Sequence, residues 1–160
     1  MMLLIVIFYI LLVCNNAYQL SSSSSSIIYK KVNRINYSNI ILKGSIQNIL
    51  TADELDSITT KNTEDALPVV IDFQKSKCAP CLKVAPLYEA LAKRYEGKAR
   101  FFKVDADSSP EALSVMKANG IRSVPTFHVW RLGTRIDTIQ GSHIDEVEAL
   151  IEGELQKMKG

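Results

Sequence analysis

Two cysteines three positions apart stand in the segment Lys77-Cys78-Ala79-Pro80-Cys81. At a helix start, cysteines with this spacing lie within one turn of each other. Their sulfurs can close a small disulfide or open to a dithiol with little backbone movement. Pro80 suits the first turn of such a helix, where its missing N–H would lack a partner anyway, and it stiffens the turn. Cys78 then sits where unpaired N–H groups and the helix dipole favour a thiolate. It is expected to be the attacking nucleophile, and Cys81, one turn further in, the resolving thiol. Two other chemistries use such a pair. Tetrahedral zinc needs four ligands, but the only other cysteine is Cys14, and His128 and His143 are 15 residues apart in no ligand motif. An inert structural disulfide here would close too short a loop to add much stability. The favoured reading is redox exchange, with no metal and no cofactor beyond the redox-active Cys78–Cys81 disulfide itself.

The elements that must hold this pair alternate between strand and helix. Gly44–Ile49 is a weak strand candidate. Thr51-Ala52-Asp53-Glu54 is a capping box that starts a helix to about Asn62. Val69–Phe73 is a continuous apolar run containing one carboxylate, Asp72, and suits a central strand covered on both faces. The helix from Pro80 to Tyr95 or Glu96 should end at Gly97 and kink at Pro86. Val84, Leu87, Tyr88, Leu91 and Tyr95 are expected on its buried face. Ala99–Asp105 reads as a strand. Ser109 caps a helix with Pro110 at its first position, Leu113 and Met116 inward and Gly120 at its close. Thr126–Trp130 and Thr134–Gln140 form a hairpin around Arg131-Leu132-Gly133. Ser142 or His143 opens a last helix with Ile144, Val147, Leu150, Ile151, Leu155 and Met158 on its apolar face. The order β-α-β-α-β-α-β-β-α predicts an α/β fold with a mixed sheet, since crossovers need parallel strands and the hairpin adds antiparallel ones. Trp130, the single tryptophan, is expected to pack against the core or sheet edge.

From about residue 45 to 158 the chain resembles the thioredoxin family. Asp72 lies six residues before Cys78, Pro86 eight after it, and Lys103 stands in Lys-Val-Asp-Ala-Asp. Gly120-Ile-Arg-Ser-Val-Pro-Thr126 looks like the family's cis-proline segment, with Gly133 and Gly141 8 and 16 residues beyond Pro125. The resemblance implies the thioredoxin fold and assigns roles. Cys78 attacks a substrate disulfide, and Cys81 resolves the mixed disulfide. Asp72, desolvated and with a raised pKa, takes the proton from Cys81, and Lys103 pairs with it. Val124 offers backbone hydrogen bonds to an extended substrate beside a cis Pro125. Three residues depart from the family pattern: Lys77 and Gln74 replace tryptophans, and Ala79 replaces the glycine between the cysteines. Lys77 puts a cation near Cys78, which favours acidic partners. These changes leave the dithiol chemistry intact and bear on the choice of targets. The implied activity is protein-disulfide reduction by a monomer, with disulfide-bearing target proteins and an upstream reductase as partners. The rivals are a secretory-pathway oxidase or isomerase and a redox-inactive binding module of the same fold.

Composition sets the limits within which this reading stands. The chain has 160 residues, 47% hydrophobic and 22% charged, enough for one domain and short for two. A net charge of +2 argues against a protein built to grip nucleic acid. Residues 1–52 hold four bases and no acid, while residues 53–160 hold 15 bases and 17 acids, a net of −2. Met1–Val13 is an unbroken apolar run. As a helix it would span about 20 Å against a bilayer core of about 30 Å, which suits a signal peptide better than a membrane span. Residues 1–17 are therefore expected to be a signal peptide. Residues 18–44, basic, acid-free and with six serines in a row, are expected to be a transit-like segment, and residues 45–160 the folded domain. Such a two-part leader is similar to those that reach plastids by the secretory route, leaving no membrane span after its removal. The alternatives are the endoplasmic reticulum lumen and secretion. The C-terminus is not a KDEL-type signal, which weighs against residence in that lumen.

Overall fold

A computed structural model describes residues 46–60 and 66–159. The expected leader, residues 1–17 and 18–44, lies outside the described residues, as does the expected helix end at Asn62. The elements run β1 (Gln47–Asn48), α1 (Ala52–Thr60), β2 (Val69–Gln74), α2 (Ala79–Arg94), β3 (Arg100–Asp105), α3 (Pro110–Ala118), β4 (Thr126–Arg131), β5 (Thr134–Gln140) and α4 (Ile144–Lys157). Their order is the one expected from the sequence.

The sheet is mixed, with strands in the order β1-β3-β2-β4-β5. β3 pairs parallel with β1 and β2, and β4 pairs antiparallel with β2 and β5. Side chains alternate along β2. Val70 joins Val84, Tyr88 and Leu91 of α2 and Val147 and Ile151 of α4 in one core. Val69, Ile71 and Phe73 join Leu55 and Ile58 of α1 and Ala112, Val115 and Met116 of α3 in the other. The sheet is thus covered on both faces, and β2, central and apolar, is buried on both.

Local chemistry sets the element ends. Thr51 Oγ1 accepts from Glu54 N, while Glu54 Oε2 accepts from Thr51 N and Leu50 N, completing the capping box. Ser109 caps α3 by accepting from Ala112 N. Gly97 and Gly120 both take φ of +72° just past a helix end. The hairpin turn is tighter than expected: Arg131 belongs to β4, and Leu132 and Gly133 make the two-residue turn with φ of 50° and 77°.

Two expectations about buried faces need correction. Leu87 is 52% exposed, so α2 buries Val84, Tyr88 and Leu91 without it. Its position, three residues after Val84 and four before Leu91, lies at the margin of the apolar stripe, and the core fills without it. Met158 of the last helix lies past its end and is exposed. Glu154 takes a place on that buried face instead.

Candidate functional site

β2 carries Asp72 into the core. It shares the face of the sheet with Val70, since both follow the two-residue alternation, and α2 covers that face. Asp72 is 2% exposed, and its Oδ1 accepts no hydrogen bond. Burial raises its pKa from 3.8 to about 7, against a counter-pull from Lys103 and with a further push from Asp105. Lys103 stands opposite Asp72 in the parallel register of β2 and β3. No ion pair joins them among the described residues. The expected pairing is therefore a field acting across the register, and it is outweighed by desolvation.

At the end of β2 the chain turns through exposed Lys75, Ser76 and Lys77 into α2. Ser76 Oγ donates to Asp105 Oδ2 and ties this turn to the end of β3. Cys78 is the N-cap of α2, and its Sγ accepts from Cys81 N at 3.2 Å. Ala79 and Pro80 form the exposed first turn. Cys78 and Cys81 are joined as a disulfide, with Cα atoms 5.2 Å apart. The two sulfur-bearing residues differ in access: Cys78 is half-buried and Cys81 is 1% exposed.

The loop before β4 closes the other side. The Val124–Pro125 peptide is cis, Pro125 is buried and Val124 is half-buried. Val124 O lies 3.8 Å from Cys78 Sγ. An apolar groove of about 220 Å³ borders this contact, with Leu113, Met116, Ile121 and Val124 in its walls and Lys75, Lys117 and Arg122 at its margins. The structure thus places Cys78, Val124 and Pro125 together, with Lys77 and Ala79 exposed beside them. Cys81 lies one turn further into the molecule, on the helix that covers Asp72's face.

A model of the thioredoxin family matches residues 47–153. The chain belongs to the thioredoxin family. Thioredoxin relatives include the H-type protein of Chlamydomonas reinhardtii, 38% identical over 108 residues, covering 68% of this chain and 93% of that one. Thioredoxin 1 of Plasmodium falciparum is 38% identical over 99 residues, covering 62% of this chain and 88% of that one. Among solved structures, the short form of thioredoxin f from spinach chloroplast superposes with a TM-score of 0.62 at 28% identity, covering 71% of this chain and 96% of that one. Oxidised thioredoxin from Plasmodium falciparum gives 0.56 at 36% identity, covering 68% and 97%. Thioredoxin membership, with the joined Cys78–Cys81 pair, makes the chain a thiol–disulfide oxidoreductase and supports protein-disulfide reductase activity.

Sequence reasoning did not single out the groove beside Val124. Leu113, Met116, Ile121 and Val124 come from a helix and a loop that only the fold brings together. It also passed over Asp105, which acts on Asp72 from the same face of β3.

Proposed function

We propose that this thioredoxin works as a reductase of protein disulfides, with Cys78 as nucleophile and Cys81 as resolving thiol. The observation that carries this reading is the unequal access of the two sulfurs: Cys78 is reachable and faces Val124 O at 3.8 Å, while Cys81 is buried. In the reduced protein the Cys78 thiolate attacks one sulfur of a target disulfide. A mixed disulfide forms and one target thiolate leaves. Cys81 then loses its proton and attacks Cys78 Sγ, the second target thiolate leaves, and Cys78–Cys81 is oxidised by two electrons. Asp72 accepts the Cys81 proton. A carboxylate with a pKa of about 7 and an unused Oδ1 suits that task near neutral pH. Lys103 keeps that pKa from rising further. An upstream reductase returns the two electrons.

Val124 and Pro125 receive the target chain. The groove beside Val124 accepts an apolar side chain next to the target cysteine, and Lys75, Lys77, Lys117 and Arg122 favour acidic neighbours. The direction of exchange depends on potential. A redox titration against glutathione is expected to place Cys78–Cys81 near about −270 mV, where a reductase works. A value above about −180 mV would make the protein an oxidase or isomerase instead.

We propose delivery to a plastid by way of the secretory route, supported by the apolar run Met1–Val13 and the basic, acid-free stretch after it. The released catalyst is a monomer of residues 45–160.

A further inference from the structure

A second cavity, also of about 220 Å³, lies on the face of the sheet that α1 and α3 cover. Thr126 and His128 of β4, Arg135 and Thr138 of β5, and Asn119 and Arg122 beyond α3 contribute to its walls. No aspartate or glutamate lines it. Arg122 and Arg135 are exposed and take part in no ion pair among the described residues. Arg135 rests over the Trp130 ring, 5.9 Å from its centroid, which holds a guanidinium at the rim without neutralising it. His128 is 1% exposed, and its Nδ1 has no hydrogen-bond partner. His128 is thus sealed beneath the cavity, and its Nδ1 is closed to anything the cavity holds.

We propose that this cavity binds a phosphate group, held by the Arg122 and Arg135 guanidinium forks with Thr138 as a hydrogen-bonding partner. Guanidinium forks match the paired oxygens of phosphate, and two of them lining one cavity without a carboxylate give charge and direction together. Burial and the nearby Arg135 lower the His128 pKa to about 4, so at neutral pH the ring beneath the cavity is uncharged and the two arginines alone meet the charge of an anion. The site is separate from the disulfide, but it shares Arg122 with the groove beside Val124. Arg122 also lies three residues before Pro125. A bound phosphate draws one cation away from the groove that receives the target.

The test is a titration of the full oxidised chain at constant ionic strength, followed by backbone amide NMR shifts. Sodium phosphate forms one arm, glycerol phosphate the second and sodium chloride the control. Saturable shifts at Ile121, Arg122, His128 and Thr138 are expected with phosphate but not chloride. Equal affinity in the two phosphate arms identifies free phosphate as sufficient, and tighter binding of the ester identifies a phosphomonoester ligand. Arg135→Gln, at an exposed position, is expected to weaken binding about tenfold or more while the urea midpoint stays within the range of a surface substitution. Lys98→Gln, in the turn after α2, should leave it unchanged. Shifts that fail to saturate, that chloride reproduces, or that survive both Arg122→Gln and Arg135→Gln at full affinity would overturn the site. None of these readouts involves Cys78 or Cys81, so the outcome is independent of the reductase reading.

Discussion

At pH 7 an ordinary aspartate is almost fully ionised, but Asp72, with a pKa of about 7, is only half so. The unfolded chain releases this proton near pH 3.8. Between pH 3.8 and about 7 the folded state therefore holds one more proton, and stability falls as pH rises through that window. His128 does the opposite. Its pKa drops from 6.5 to about 4, so the unfolded state holds the additional proton in that range, and stability falls as pH drops. Where the windows overlap the two slopes oppose. Replacing Asp72 by Asn separates them. Asp72→Asn is expected to be more stable than the parent at pH 8, by up to about 4 kcal/mol, with the gap closing below pH 4. The same variant should then lose stability from pH 6.5 down to 4, as His128 alone dictates. It should also slow release of the mixed disulfide about a hundredfold. Urea unfolding across pH and single-turnover kinetics check these outcomes. A pH-independent gap would show that Asp72 titrates normally.

Most elements were legible because their signals are local. The capping box at Thr51–Glu54, the Ser109-Pro110 start and the hairpin around Arg131-Leu132-Gly133, if not the tightness of its turn, each need only a few adjacent residues. The cysteine pair and Asp72 were legible for the same reason, within one strand–turn–helix. What escaped depends on partners far apart in the chain. Glu154 falls on the buried face of α4, four residues after Leu150 and three after Ile151. Nothing nearby in sequence reveals that Arg131 of β4 reaches it, at 3.2 Å. Burial pushes the Glu154 carboxyl up, but hydrogen bonds from Lys157 and Arg131 more than offset this and hold it below the usual range. Arg131 also donates to Ala66 O, so it ties the hairpin to α4 and to the segment before β2. Arg131→Met removes the partner β4 supplies to a buried carboxylate and should cost about 1–3 kcal/mol of stability. Urea unfolding at pH 7 measures it, and an unchanged midpoint would show that Lys157 alone suffices. The cavity proposed to bind phosphate escaped for the same reason, since Arg122, His128 and Arg135 come to line one cavity only through the β4–β5 pairing and the loop beyond α3.

For the whole molecule, the net charge of +2 hides two parts: four bases without an acid in residues 1–52, and a net of −2 in residues 53–160. The first part is the proposed address, and the second holds the thioredoxin domain. A fluorescent protein fused behind residues 1–52 is expected to reach the plastid, and one behind residues 1–17 only the secretory route. Cytosolic fluorescence from both would contradict the address. No helix among the described residues is long and apolar enough to cross a membrane. The catalyst itself rests on one claim, that Cys78 attacks and Cys81 resolves. Trapping of the covalent intermediate tests it most directly, with Cys78→Ser and Cys81→Ser each incubated with a disulfide-bonded protein such as insulin and examined by intact mass under non-reducing conditions. Cys81→Ser is predicted to accumulate a mixed disulfide through Cys78, while Cys78→Ser forms none and reduces nothing. A Cys78→Ser protein that kept its reducing activity, or trapped the target through Cys81 as readily, would contradict the account.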